Sequence, residues 1–182
     1  MTQSIRKFHI TRLLLDPITF ERKTRMQNQM DQVLAFHAKL GISPHEDLEG
    51  QDVEKDLCYF GNNLKSMSNK ALKLYHRLGE QRALRAHLMM EELGECLEAL
   101  GRGDELGLLD GLADLEYVVV GTAVVHDLPL PEAFEEVHRS NMTKEKQVSD
   151  ANSDRVREKG PNYEPPNLER VLADHRKQSH EN

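Results

Sequence analysis

Apolar residues recur at helical spacing along most of this chain, and prolines at 17, 44, 129, 131, 161, 165 and 166 divide the periodic stretches. Proline interrupts helix interiors, so the proline-free run from Pro44 to Pro129 favours long helices. Asp16-Pro17 has the form of an N-cap followed by proline at the first helical position. Met26, Met30, Val33, Leu34 and Leu40 then share one helical face, and Gly41 suits a C-cap. The stretch 43–63 is polar and reads as an irregular insertion. Helices are expected over 64–78, ending at Gly79, over 80–100, and over 105–126. Leu128-Pro129-Leu130-Pro131 forms a rigid turn, and a further helix is expected from Glu132 to Asn141. The polar stretch 142–167 reads as loop, with Asn167 capping a last short helix to Leu172. Strand alternation is limited to Lys7–Leu14. The pattern is that of an all-α protein: an N-terminal extension over 1–16, one domain over 17–172, and a polar tail over 173–182.

Composition narrows the function classes. The 182 residues carry 24 Lys+Arg against 31 Asp+Glu, a net charge of −7. That balance argues against a binder of nucleic-acid polymers, whose phosphate contacts need a basic surface. No apolar run approaches the roughly 18 residues of a membrane span, and Leu13-Leu14-Leu15 is too short for a signal peptide. The two cysteines, Cys58 and Cys96, form neither a disulfide framework nor a zinc set, which points to a reducing cytoplasm.

The acids are placed unevenly. On the 80–100 helix, Met89, Leu93, Cys96, Leu97 and Leu100 form an apolar stripe. Glu92 lies at its edge, with Glu95, Glu91 and Glu98 further round. The 105–126 helix is apolar nearly all round through Leu115–Val125, the pattern of a buried helix. One of its faces nevertheless holds Asp110 and Asp114 among Gly107, Gly111 and Gly121. Gly101 as C-cap and Asp104 as N-cap predict a tight antiparallel turn between the two helices. With the turn centred there, Glu92, Glu95, Asp110 and Asp114 fall at one level. Four carboxylates with few local cations repel one another, and a divalent cation is the economical neutraliser. All-oxygen ligation points to Mg²⁺ or Mn²⁺ over zinc. The stretch 139–159 holds six basic and four acidic residues, so a locally basic loop accompanies a body of charge −9. No glycine-rich phosphate loop occurs, which leaves phosphate binding to side chains and metal.

Glu91-Glu92-Leu93-Gly94-Glu95 followed by Asp110-Gly111-Leu112-Ala113-Asp114 resembles the E-E-x-x-E and E-x-x-D signature of the all-α nucleoside triphosphate pyrophosphohydrolases. This MazG-like superfamily includes dimeric dUTPases, dCTP pyrophosphatases and phosphoribosyl-ATP pyrophosphohydrolase. The similarity continues through Val137–Lys144 and Lys159–Pro166. It implies a MazG-like helical bundle, completed by oligomerisation as a homodimer or dimer of dimers. It also implies hydrolysis of the α–β phosphoanhydride of a nucleoside triphosphate. By that resemblance Glu92, Glu95 and Asp114 are Mg²⁺ ligands, with Asp110 the fourth, and Glu91 activates the attacking water. Asn141 and Lys144 contact phosphates, with Arg139 and Lys159 as further candidates; Tyr163 or Phe36 is placed to stack on a base or to pack in the core. The chain departs from the signature at Gly111, where the family carries glutamate. Two other readings stand beside this one. A noncatalytic nucleotide- or protein-binding oligomer of the same fold accommodates Gly111. A di-iron bundle needs Glu-x-x-His on two helices, and only Glu135–His138 supplies one.

Overall fold

A computed structural model describes residues 24–42, 53–146 and 157–181. The N-terminal extension, the Asp16-Pro17 cap, the Lys7–Leu14 strand, residues 43–52 and Arg155 lie outside them. Six helices and a minimal antiparallel ladder make up the described chain: α1 (Arg25–Leu40), α2 (Glu54–Leu78), α3 (Gln81–Arg102), α4 (Glu105–Val125), α5 (Leu130–Met142), β1 (Glu145–Lys146), β2 (Arg157–Glu158) and α6 (Leu168–Glu181). The all-α expectation holds, with Glu145 paired to Glu158 and Lys146 to Arg157 inside a stretch expected to be loop.

Several boundaries move, each for a local reason. Helix α1 begins at Arg25, because Thr24 is extended and closes a capping box with Gln27. Helix α2 starts ten residues earlier than the expected Leu64, so 54–63 is helix and only part of the expected insertion remains irregular. Helix α6 runs to Glu181, which makes most of the expected polar tail helical. Gly41 and Gly79 end their helices in the left-handed conformation, as the sequence suggests. Gly101 does not: α3 continues to Arg102, and Gly103 is the left-handed residue.

Gly101 is used for packing. A Cβ there would lie 3.2 Å from the Glu54 carbonyl oxygen and 3.1 Å from Leu57 Cβ. Seven residues on in α2 and seven back in α3, Gly61 meets Gly94. A Cβ on Gly61 would stand 2.6 Å from the Gly94 carbonyl oxygen, and one on Gly94 3.0 Å from the Gly61 carbonyl oxygen. Another seven-residue step pairs Ser68 with His87, joined at 2.5 Å. The two helices thus touch backbone to backbone along a ladder of small residues, in a spacing that keeps one seam facing the partner.

Among the described residues, α3 is the helix that packs along the length of α4. Cys96 lies against Gly111, where a Cβ would be 3.0 Å from its Sγ, and Arg85 Nη1 lies 3.5 Å from the corresponding point on Gly121. The expectation of a buried α4 is corrected: only Gly111 and Ala123 of this helix are buried. Leu106, Leu109, Tyr117 and Val124 are between 67% and 82% exposed. One neighbouring helix covers one face, while the apolar residues of α4 run all round.

Helices α5 and α6 pack on one another, and α1 docks on α5. Gln32 Nε2 donates to Glu135 Oε2 at 2.5 Å, and Lys39 Nζ donates to the Met142 carbonyl oxygen. Phe36 and Leu40 are buried, which makes Phe36 a core residue. Among the described residues no helix is long and apolar enough to cross a membrane.

Candidate active site

The acidic face is built by the α3–α4 hairpin. Asp104 caps α4 by accepting from Gly107 N at 3.0 Å, as its position suggests. The contacts of Gly111 with Cys96 and of Gly121 with Arg85 fix the register. With the turn centred at Gly103, Asp114 stands at the height of Glu92, and Gly111 near that of Glu95. Glu92 is half-buried at the meeting point of the two helices. Burial raises its pKa first, and the charges of Glu95, Asp114, Glu91 and Asp110 raise it further. All four expected neighbours therefore act on one carboxyl group from two helices.

They act as a field and not as a closed cage. Among the described residues no three His, Cys, Asp or Glu side chains converge tightly enough to hold a metal ion. Glu95, Asp110 and Asp114 are exposed. A local cation, missing from the sequence account, also reaches this face: Lys65 of α2 lies 3.6 Å from Glu95 and 3.1 Å from Glu98. Glu98 takes a second partner in Arg102 at 3.4 Å. Arg85 lies on the same side of α3 as Glu92, two turns toward its N-terminus, with its Nε buried and without a hydrogen-bond partner.

The first glutamate of the signature has its own support. His87 Nε2 lies 3.5 Å from Glu91 Oε2, one turn away on α3. Ser68 reaches the other side of the ring from α2. Of these residues, His87 was discoverable from its i, i+4 spacing to Glu91. Ser68 and Lys65 become visible only once α2 is registered on α3.

The expected phosphate contacts form a second group on α5 and the segment before α6. Lys144 Nζ donates to Asn141 Oδ1 at 2.7 Å, so this pair is assembled. Among the described residues no ion pair joins it to the acidic face of α3 and α4. Arg139 is committed internally: Nε and Nη2 donate to Glu136, Nη1 donates to Glu164 at 2.6 Å, and Nη2 also reaches the Pro165 carbonyl oxygen. Glu136 is buried and also accepts from Asn167 N at 2.7 Å. The hydrogen bonds from Arg139, then that from Asn167, hold its pKa down to about 2. Ser140 Oγ donates to the Glu164 carbonyl oxygen and Glu164 N to Thr143 Oγ1, at 2.7 and 2.9 Å. The two segments similar to the family's later motifs are thus clamped to each other. Lys159 Nζ sits 5.0 Å over the Tyr163 ring, giving that ring a cationic cover.

No curated protein and no solved structure matches the chain. Residues 64–141 match the model of the family described as phosphoribosyl-ATP pyrophosphohydrolase. The matched stretch begins inside α2, spans the whole acidic hairpin and ends at Asn141. At the family level the activity is that of a pyrophosphohydrolase. Over residues 64–141 this chain is thus similar to the phosphoribosyl-ATP pyrophosphohydrolase family, which lies within the MazG-like all-α nucleoside triphosphate pyrophosphohydrolase superfamily.

Proposed function

We propose that this chain is a Mg²⁺-dependent nucleoside triphosphate pyrophosphohydrolase. It cleaves the α–β phosphoanhydride of a (deoxy)nucleoside triphosphate to the monophosphate and pyrophosphate, in nucleotide-pool house-cleaning or a dUTPase-like role in the cytoplasm. The observation that carries this reading is the Glu92 carboxyl, half-buried where α3 meets α4 inside the segment that matches the family, with its pKa raised first by burial and then by the charges of four acids from the two helices. Carboxylates held together at such a cost suit a hard cation, and the donor set is all oxygen. Glu92, Glu95, Asp110 and Asp114 would hold it, and Mg²⁺ or Mn²⁺ when bound supplies neutralisation of the phosphate oxygens.

The chain's own residues do the rest. Glu91 orients the attacking water and takes its proton as the water oxygen bonds to the α-phosphorus. The bridging oxygen leaves with pyrophosphate. The assembled Asn141–Lys144 pair supplies a neutral donor and a cation for phosphate oxygens, with Lys159 beside it. Arg139 reaches phosphate only by giving up contacts with Glu136 or Glu164. The exposed apolar face of α4, together with Met30, Val33 and Leu34 of α1, is covered by a second copy of the chain. The homo-oligomer, as dimer or dimer of dimers, brings the phosphate-binding group of one protomer toward the acidic face of its partner.

A nucleotide panel with Mg²⁺, including dUTP, dCTP and phosphoribosyl-ATP, tests the reaction by scoring pyrophosphate against orthophosphate. Pyrophosphate release that falls roughly 100-fold or more in Glu95→Gln supports it. Orthophosphate release overturns α–β cleavage. Nucleotide binding without turnover gives the noncatalytic reading, for which Gly111 in place of the family's glutamate is the structural argument. Asp110→Asn is expected to raise the Mg²⁺ concentration for half-maximal rate, and an unchanged requirement removes Asp110 from the ligand set.

A further inference from the structure

We propose that His87 is a positioning residue that holds Glu91 through the contact of its Nε2 with Oε2 at 3.5 Å, and that Ser68 keeps the ring in the state that can do so. The proposal rests on the role given to Glu91 above and adds two residues to it. Ser68 is 2% exposed and His87 8% exposed, so neither has access to a substrate, and Ser68 is not a nucleophile. They occupy the polar rung of the α2–α3 ladder, two turns from the rung where Gly61 and Gly94 bring the backbones together. A ring held between two closely packed helices has little freedom to rotate.

Proton counting fixes what the ring offers Glu91. An ionised carboxylate only accepts hydrogen bonds, so the nitrogen facing it at 3.5 Å, Nε2, carries a hydrogen. Ser68 Oγ lies 2.5 Å from Nδ1 and 3.0 Å from the His87 carbonyl oxygen. With Nδ1 bare, the hydroxyl donates to it. With Nδ1 protonated, the hydroxyl accepts from the ring and turns its own hydrogen to the carbonyl oxygen. Ser68 therefore satisfies the ring in either state without moving, and in both Nε2–H remains on Glu91. The neutral tautomer with a bare Nε2 is disfavoured, since its lone pair would face the carboxylate. Glu91 is thereby tethered through Oε2, which leaves Oε1 to receive the hydrogen of the attacking water. Glu91 is half-buried and lies on the next position to Glu92, so an untethered carboxylate would be free to swing away from the reacting water.

The test uses the full chain and has two readouts. In ¹⁵N-histidine spectra of the wild type, His87 is expected to carry hydrogen on Nε2, with its ring resonances shifted by Glu91→Gln. A bare Nε2 in the wild type, or no response to Glu91→Gln, overturns the proposal whatever the enzyme does. With Mg²⁺ and the panel nucleotide that releases pyrophosphate fastest, His87→Leu is expected to lower kcat roughly 10–100-fold with KM little changed. His87→Gln, which keeps a donor near the same point, restores most of it. In the Glu91→Gln background, His87→Leu adds no further loss. Equal losses in His87→Leu and His87→Gln at equal thermal stability, or a loss confined to KM, also overturn it. Absence of turnover on every nucleotide counts against the proposed reaction, and the spectra still decide whether His87 holds Glu91.

Discussion

The two helices flanking α3 make opposite use of their residues. Helix α2 is polar along much of its length, yet it meets α3 at backbone distance, because Gly61, Ser68, Gly94 and Gly101 leave no side chain in the way. Helix α4 is the most apolar of the described helices and yet largely uncovered, touching α3 at Gly111 and Gly121 and exposing large side chains elsewhere. Tight packing within one chain thus follows small residues in register. Apolar content reports the surface a helix must lose somewhere, whether in its own chain or in a neighbour.

That contrast is broken most strongly from the α4 side. Leu109→Glu together with Val124→Glu is expected to weaken self-association by about 100-fold or more, since each buries a carboxylate without a cation in the proposed interface. Light scattering across a dilution series measures this. A wild-type chain that is monomeric throughout would leave the face without a second copy. On the α2 side, Gly61→Ala places a methyl group 2.6 Å from a backbone oxygen. Overpacking of about 1–3 kcal/mol outweighs the gain in helix propensity, so the thermal midpoint should fall by several degrees, and an unchanged melt would show that the ladder is loose. Gly121→Ala is the sharpening control. Its new methyl group meets Arg85 Nη1 at ordinary contact distance, 3.5 Å, so helix propensity decides and stability should rise by up to about 1 kcal/mol. The same chemical change then has opposite signs on the two sides of α3.

A smaller effect separates the α5–α6 corner from both. Glu136 has its pKa lowered from 4.5 to about 2. A depressed carboxyl contributes stability above its unfolded pKa and loses it as pH falls through the folded one. Between about pH 4.5 and 2, wild-type stability should therefore fall more steeply than that of Glu136→Gln. Parallel curves in acid-titrated melts would remove Glu136 from the account.

The sequence carried the chemistry of the hairpin further than its geometry. Glu92 and Asp114 face one another as their spacing suggests, since the helical period and a capped turn determine height along a helix pair. The C-cap lies two residues further on, at Gly103, because Gly101 has two physical uses and the chain spends it on α2 contact. Residues 54–63 read as irregular because Leu57, Cys58, Tyr59 and Phe60 are consecutive and make no helical stripe, whereas their packing on α3 depends on the missing side chains of Gly61, Gly94 and Gly101. Lys65, Ser68 and Arg85 were hidden for the same reason: their importance lies in the register of helices, which no single periodicity encodes. The clamp from Arg139 to Glu164 spans 25 residues and also has no local signature.

Cys96 lies buried against Gly111, and burial, followed by the charge of Glu92, raises its thiol pKa. Its thiolate is scarce and screened while the hairpin is shut, so alkylation proceeds mainly through moments when α3 and α4 part. Labelling of this one sulfur is therefore a native clock on the acidic face. Occupancy of that face by a cation or a nucleotide should slow it, even where no turnover is seen.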